Sequence, residues 1–572
     1  MSLGSAILAR RMRLPRAQTR AVVRERDLRA PMDDGAVLLA DRWVTRAARA
    51  RAQPTVLVRS PYGGGLAVGL IYGRLLAERG LQVVIQSVRG TFGSEGAFSP
   101  FDERADGLAT LRWIRRQPWH AGPIGMIGPS YLGLVQWAVA TDPEAELSGL
   151  AIQVSASQFH AQTYAGGSLS LETAASWLVI VAEQERRAAP IAIARALHRL
   201  PALLSELPLA SLDELATGTE VPWYREGMAH PERDDAYWVM RDFAAGVTEV
   251  TAPVQLIGGW YDIFLPWMLE DFCALQAAGR EPQLIIGPWT HTAPGCMAAG
   301  IREGLGWLRA HLLDDDRLLR PAPVRVRITG ERAGDGWREL ATWPPPGTAE
   351  HRLWLADDAR LEEHPPAGAS AGTPGPGNRY RYDPNDPTPS LGGPVLLSRE
   401  PVLDIRPLEA RPDVITYTTA PLPASFEAIG PVRVELYVRA SSPYFDLFAR
   451  VCDVDEQGAS WNVTDALARV SPETFEHLDD GSRRVGFDLW PVGHRFAGGH
   501  RIRLQVSSGA HPRYARNPDT GEDPMTATAL QPVDIEVLHD QVHPSHLVLP
   551  RQAADDPSVA GAEAASQPPV ST

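Results

Sequence analysis

The chain has 572 residues, 44% of them hydrophobic, and a formal net charge of −14. That length supports two or three domains around a large core, and the acidic balance speaks against a phosphate-backbone partner, so no nucleic acid is expected. No apolar run reaches the ~20 residues of a membrane span, and Cys273, Cys296 and Cys452 are too scattered to suggest a disulfide framework or a zinc site.

Residues 1–25 read as a disordered N-terminal extension. Their one apolar piece, 3–9, is short and followed by arginines, which makes a poor secretory signal, so a cytoplasmic protein is expected. From 26 to 155, short runs rich in Val, Ile and Leu alternate with helical patterns. Strands are predicted at 37–43, 55–59, 82–88, 124–127 and 150–154. A helix at 103–116 carries Ala105, Leu108, Leu111 and Ile114 at helical spacing. This is the pattern of a doubly wound sheet. From 156 to 245 the strands stop, and helices are predicted at 170–183, 191–200 and 234–243. A helical insertion there forms a lid over the strand ends. The sheet resumes at 246–348, with strands at 254–257 and 284–286, a helix at 304–313 and a Pro-rich linker at 344–349. From 349 to 550 the period shortens to two, with strands at 432–438, 446–451, 484–487 and 501–506 between Pro/Gly-rich turns, as in a β-sandwich. His494, His500 and His511 are scattered through it and read as structural. Residues 551–572 read as a disordered tail.

Three of the apolar runs, at 124–127, 254–257 and 284–286, lead into Ser130, Asp262 and His291. Parallel strands bring their C-terminal ends to one edge of a sheet, where loops build a site. The order serine, acid, histidine is that of the α/β-hydrolases. A serine hydroxyl is a weak nucleophile and needs a base in reach, and the base needs an orienting acid. His291 and Asp262 fit those roles. The serine sits in Gly128-Pro129-Ser130-Tyr131-Leu132-Gly133, with the second glycine one place later than in the general elbow motif. One oxyanion donor is the backbone N–H of Tyr131. The other comes from Pro61-Tyr62-Gly63-Gly64-Gly65 after strand 55–59, as a backbone N–H or the Tyr62 phenol. Singly, each residue also reads as a turn former or a satisfied loop side chain; their conjunction points to catalysis. Neither a His-Glu-x-x-His metal motif nor a phosphate loop is present, and the chemistry requires no cofactor.

These motifs resemble the cocaine esterase and X-Pro dipeptidyl-peptidase group of serine hydrolases, the CocE/NonD family. The resemblance is carried by Ser60-Pro61-Tyr62, Gly128 to Gly133, Gly259-Trp260-Tyr261-Asp262 and Gly287-Pro288-Trp289-Thr290-His291. Further matches are Arg89 to Gly96, Gly499-His500-Arg501-Ile502 and His543-Pro544-Ser545-His546. It spans about residues 26 to 550 and makes the late Gly133 ordinary. It implies an α/β-hydrolase fold, a doubly wound sheet with an inserted helical lid and a C-terminal all-β jelly-roll (galactose-binding-like) domain. It implies Ser130, Asp262 and His291 as the triad, the Tyr62 hydroxyl and Tyr131 N–H as the oxyanion hole, and Phe264 and Trp177 as acyl-pocket residues.

The expected substrate is a small-molecule carboxylic ester with an apolar or aromatic acyl group. An X-Pro dipeptidyl aminopeptidase or amide acylase on the same triad is the alternative. A non-catalytic binding protein working through its β-sandwich is the remote one. The relatives that recognise an α-ammonium carry extra carboxylates near the catalytic acid. Here Asp262 is followed by Ile263-Phe264-Leu265-Pro266-Trp267, which offers none. Lid aromatics suit an apolar substrate, although Trp223 and Trp238 read first as packing against the main domain. Oligomeric state is open, a homodimer being one arrangement.

Overall fold

Ten strands form the first sheet of the computed structural model, which describes residues 2–330, 336–366, 377–397 and 400–552. They are β1 (Val22–Pro31), β2 (Val37–Thr45), β3 (Gln53–Ser60), β4 (Gln82–Ser87), β5 (His120–Pro129), β6 (Leu147–Gln153), β7 (Val254–Tyr261), β8 (Gln283–Thr290), β9 (Val324–Arg327) and β10 (Trp337–Leu340). Their order is β1-β2-β4-β3-β5-β6-β7-β8-β9-β10. From β4 to β9 every neighbouring pair is parallel, and antiparallel strands close both edges. Every residue of β4 and β7 is buried, as expected where helices cover both faces. The helix Pro294–Leu313 lies so close to β5 that a Cβ at Gly304 would sit 2.8 Å from Ile127 Cδ1.

Three expectations need correction. The helix expected at 304–313 begins at Pro294, where proline's fixed φ suits a first turn. The helix expected at 234–243 is reduced to Ala236–Val239. Asp235 caps its start, and Phe243 N–H turns away to donate to the Ser157 carbonyl at 3.1 Å. Residues 1–25 are not a disordered extension over their described part. Ser2–Arg11 is a helix, and Ala9 and Met12 are buried in the core. Ser5 Oγ donates to Glu78 Oε1 at 2.8 Å, and Arg20 and Arg74 also bond this buried carboxylate. A buried charge demands such partners, and the N-terminal segment supplies two of them. Of the expected tail, residues 553–572 lie outside the described residues.

Between β6 and β7 the chain forms the helical insertion, chiefly Leu171–Glu183, Ala189–Leu203, Leu212–Thr217 and Pro222–Met228. Its apolar cluster, including Leu171, Val179, Leu200, Leu212 and Trp238, is shared with Ala515 and Met525 of the C-terminal domain.

The C-terminal domain is all-β. Its long strands Phe426–Ala440 and Arg483–Phe496 pair antiparallel, and the fully buried Phe445–Val454 lies between Ser460–Val470 and Arg501–Ser507. His494 and His500 share Asp453 at 3.2 and 2.8 Å. Within the expected linker, strand Thr348–Ala356 has already begun. The two domains are stitched at Thr329, whose N–H donates to Gly493 O and whose carbonyl accepts from Arg495 N–H. Gly493 is packed against the Trp260 ring, 2.6 Å from where its Cβ would stand.

Candidate active site

Ser130 follows β5 at the turn into the buried helix Tyr131–Ala140. Its φ of +56° is in the left-handed half of backbone space, a strained conformation of the kind that lifts a serine off a sheet edge. The turn is braced by Ser130 N–H donating to Gln153 O at 2.9 Å. Both motif glycines are required by contact. A Cβ at Gly128 would run into Leu132 Cβ, and one at Gly133 would stand 2.7 Å from Ser155 Oγ. The helix is pressed onto β6 at its third residue, so the small residue is needed at 133, and Leu132 is accommodated at the place the general motif gives to glycine.

Asp262 and His291 follow β7 and β8, which are adjacent and parallel. The Asp262 carboxylate is 0% exposed, and its Oδ1 lies 2.6 Å from His291 Nδ1. Phe264 N–H donates to Oδ2 at 3.3 Å. The ends of β7 and β8 approach closely because the motif glycines lack side chains. A Cβ at Gly259 would lie 2.7 Å from the Trp289 carbonyl carbon, and one at Gly287 would lie 2.5 Å from the Trp289 ring.

The phenol of Tyr62 accepts a hydrogen bond from Trp177 Nε1 at 3.0 Å. Burial pushes this phenol up to about 12, with the Trp177 bond acting in the opposite sense. Its loop needs glycine at 63, where φ is +69° and a Cβ would meet the Phe92 ring. The Tyr131 backbone N–H opens a helix, among the amides that have no partner within it. Its side chain is anchored from below: the hydroxyl donates to Glu103 Oε1 at 2.6 Å and accepts from Phe101 N–H at 3.0 Å. Glu103 pairs with Arg59 at 2.7 Å, both buried, and Arg59 also donates to Gln86 Oε1 at 2.9 Å. Burial raises the Glu103 carboxyl, opposed by Arg59 and Tyr131. Burial and then the Glu103 charge hold the Tyr131 phenol well above its usual range. Sequence reasoning missed Arg59 and Glu103. The available signal was an arginine ending the apolar run Val56-Leu57-Val58, a buried charge in need of a partner.

Ser130 opens on a cavity with about 740 Å³ of empty space, its mouth included. Phe264 and Trp177 line it. Phe264 packs on Phe159 at 4.3 Å and lies 5.7 Å from the His291 ring. Trp223 and Trp238, read as packing residues, line it as well, because the lid meets the main domain across this space. Leu396, from the C-terminal half of the chain, completes the wall. The lid is tied to the same half by Glu172 N–H donating to Pro512 O at 3.0 Å. Among the described residues, none that lines it is an Asp, Glu, Lys, Arg or His.

A family model described as X-Pro dipeptidyl-peptidase (S15 family) matches residues 34–293, and one for the X-Pro dipeptidyl-peptidase C-terminal non-catalytic domain matches 319–548. Cocaine esterase of Rhodococcus sp. (strain MB1 Bresler) is 30% identical over 91% of this chain and 97% of its own length. The chain belongs to the cocaine esterase and X-Pro dipeptidyl-peptidase family of serine hydrolases. This family member is a hydrolase acting on ester or peptide bonds. Solved structures share its fold. An α-amino acid ester hydrolase (TM-score 0.76, 22% identity) covers 94% of this chain and 98% of its own. An aminopeptidase from a marine sediment Thaumarchaeota archaeon (TM-score 0.76, 21% identity) gives the same coverage. A CocE/NonD family hydrolase from Staphylococcus aureus (TM-score 0.67, 16% identity) covers 93% and 94%. Among the described residues, no helix is long and apolar enough to cross a membrane.

Proposed function

We propose that this family member is a serine carboxylesterase for esters of apolar or aromatic acids, with Ser130, His291 and Asp262 as its triad. The observation that carries this reading is the buried Asp262–His291 hydrogen bond at the strand ends that also bear the strained Ser130. With Nδ1 committed to Asp262, His291 has Nε2 left to take the Ser130 proton as Oγ attacks the ester carbonyl. The Tyr62 hydroxyl and Tyr131 N–H receive the developing oxyanion. His291 then protonates the departing alkoxide. A second cycle, with water in place of the serine, frees the acid and restores Ser130. Asp262 holds the imidazole tautomer and stabilises the imidazolium throughout.

The aromatic wall around Phe264 and Trp177 supports an apolar acyl group. The match to a peptidase family supports amide or X-Pro peptide cleavage as a second reading. The uncharged lining weighs against it, since among the described lining residues the free ammonium of a dipeptidyl substrate would meet no carboxylate. The test is fluorophosphonate labelling together with turnover of p-nitrophenyl esters of graded acyl length and of dipeptidyl anilides, in wild type and Ser130→Ala. Labelling and ester turnover that both vanish in the variant are expected. A folded wild-type protein that is not labelled refutes the triad, and anilides cleaved faster than esters refute the esterase assignment.

A further inference from the structure

Trp177 touches both residues to which the oxyanion has been assigned, Tyr62 at its hydroxyl and Tyr131 at its ring. Its indole N–H reaches the Tyr62 oxygen at 3.0 Å. Its ring lies against the Tyr131 ring, centroids 6.2 Å apart and planes 15° from parallel, and against Phe101 at 5.7 Å and 20°. Cavity wall alone does not account for this. An indole nitrogen only donates, so in this bond the phenol must accept. The phenol proton therefore cannot point at Trp177 and is left to be given elsewhere. A hydroxyl free to rotate would spend part of its time with a lone pair facing the reacting carbonyl, which opposes an oxyanion. Fixing the rotor removes that reorganisation from the barrier.

Trp177 belongs to the lid helix Leu171–Glu183, not to the sheet that carries Ser130. Thr173 and Ala174, one turn earlier on the same face, line the cavity beside it. The helix is held in place by Glu172 N–H on Pro512 O and by Gln184 Nε2 on the Pro61 carbonyl at 3.0 Å. That second bond ends on the residue before Tyr62, so the lid grips the oxyanion loop at its backbone and at its side chain.

We infer that Trp177 is a positioning residue, whose indole N–H orients the Tyr62 hydroxyl so that the lid helix completes the oxyanion hole. This rests on the reading of Tyr62 as an oxyanion donor. The experiment is a double-mutant cycle of Tyr62→Phe and Trp177→Phe with p-nitrophenyl acetate, whose methyl group makes least use of the aromatic wall. Melting temperatures check that each variant is folded. Tyr62→Phe is expected to lower kcat about 10²-fold. Trp177→Phe is expected to lower kcat about tenfold at nearly constant KM. In the Tyr62→Phe background it should change kcat by less than about twofold, because there is no longer a hydroxyl to orient. If Trp177→Phe does not fold, 3-benzothienylalanine at 177 keeps the bicyclic shape without the N–H and carries the same cycle. Losses that simply add overturn the positioning role while leaving Tyr62 a donor. A raised KM with intact kcat makes Trp177 a wall residue and also overturns it. A Tyr62→Phe enzyme with unchanged kcat removes the oxyanion assignment of Tyr62, and the inference falls with it.

Discussion

Gly259→Ala isolates the closure of the acid and base loops without touching a reacting group. The added methyl would be 2.7 Å from the Trp289 carbonyl carbon and 2.9 Å from Trp289 Cβ. The atoms met are the Trp289 backbone and its Cβ, so there is no flexible side-chain end to give way. Reaching van der Waals separation requires the end of β8 to retreat from the end of β7 by roughly 1 Å. Those strand ends lead into His291 and Asp262, whose bond at 2.6 Å has no slack. A misplacement of about 1 Å costs about 10²-fold in rate, while overpacking of this size costs about 1–3 kcal/mol in stability. The fluorophosphonate labelling rate and kcat/KM for p-nitrophenyl acetate should therefore fall together by about 10²-fold, since in the proposed mechanism both need Ser130 activated by His291. Urea unfolding should give a folded variant of reduced stability. A folded Gly259→Ala enzyme with both rates within about threefold of wild type would refute the argument that this contact holds base to acid.

Three further outcomes can be checked. Glu103→Gln leaves Arg59 buried without its counter-charge, and urea unfolding should show a loss of about 3–5 kcal/mol; a loss under about 1 kcal/mol contradicts the anchoring role given to the pair. Asp271 is buried and accepts from Ser157 N–H and Oγ at 2.8 and 2.6 Å, and burial raises its carboxyl to about 8. A carboxyl raised on folding stabilises the protein below its unfolded value, and that stability is lost as pH rises through about 8. The wild-type melting temperature should thus decline from pH 5 to 9 more steeply than that of Asp271→Asn, and parallel profiles would contradict the assignment. Phe264→Leu keeps an apolar side chain but loses the aromatic face, so the preference for p-nitrophenyl benzoate over butyrate should drop about five- to tenfold; an unchanged ratio places the acyl group elsewhere.

The sheet was legible because its strands are buried on both faces and so appear as unbroken apolar runs. Ser130, Asp262 and His291 stand out because each follows such a run. Gly133 was the one irregular place in the elbow motif, and its reason is a contact with Ser155 that only the folded chain reveals. Arg59 and Glu103 were hidden for a different reason: the arginine could be seen ending a strand, but its partner lies in a loop 44 residues on. The N-terminal helix escapes local pattern because its anchor, Glu78, lies at the end of a distant helical segment. Local pattern reports which face an element hides, not which distant charge it neutralises.

Leu396 gives the cavity a wall encoded far from the triad, in the half of the chain that matches a domain described as non-catalytic. On the proposed esterase reading, acyl selectivity is then a property of three separately encoded segments: the sheet loops, the helical insertion and the C-terminal domain. A chimera that grafts another relative's C-terminal domain onto residues 1–348 exchanges part of the binding surface together with the graft. In such hybrids the substrate range can drift while the nucleophile, base and acid stay untouched, so recombination at that junction is a route to new ester preferences that point substitution around Ser130 does not offer.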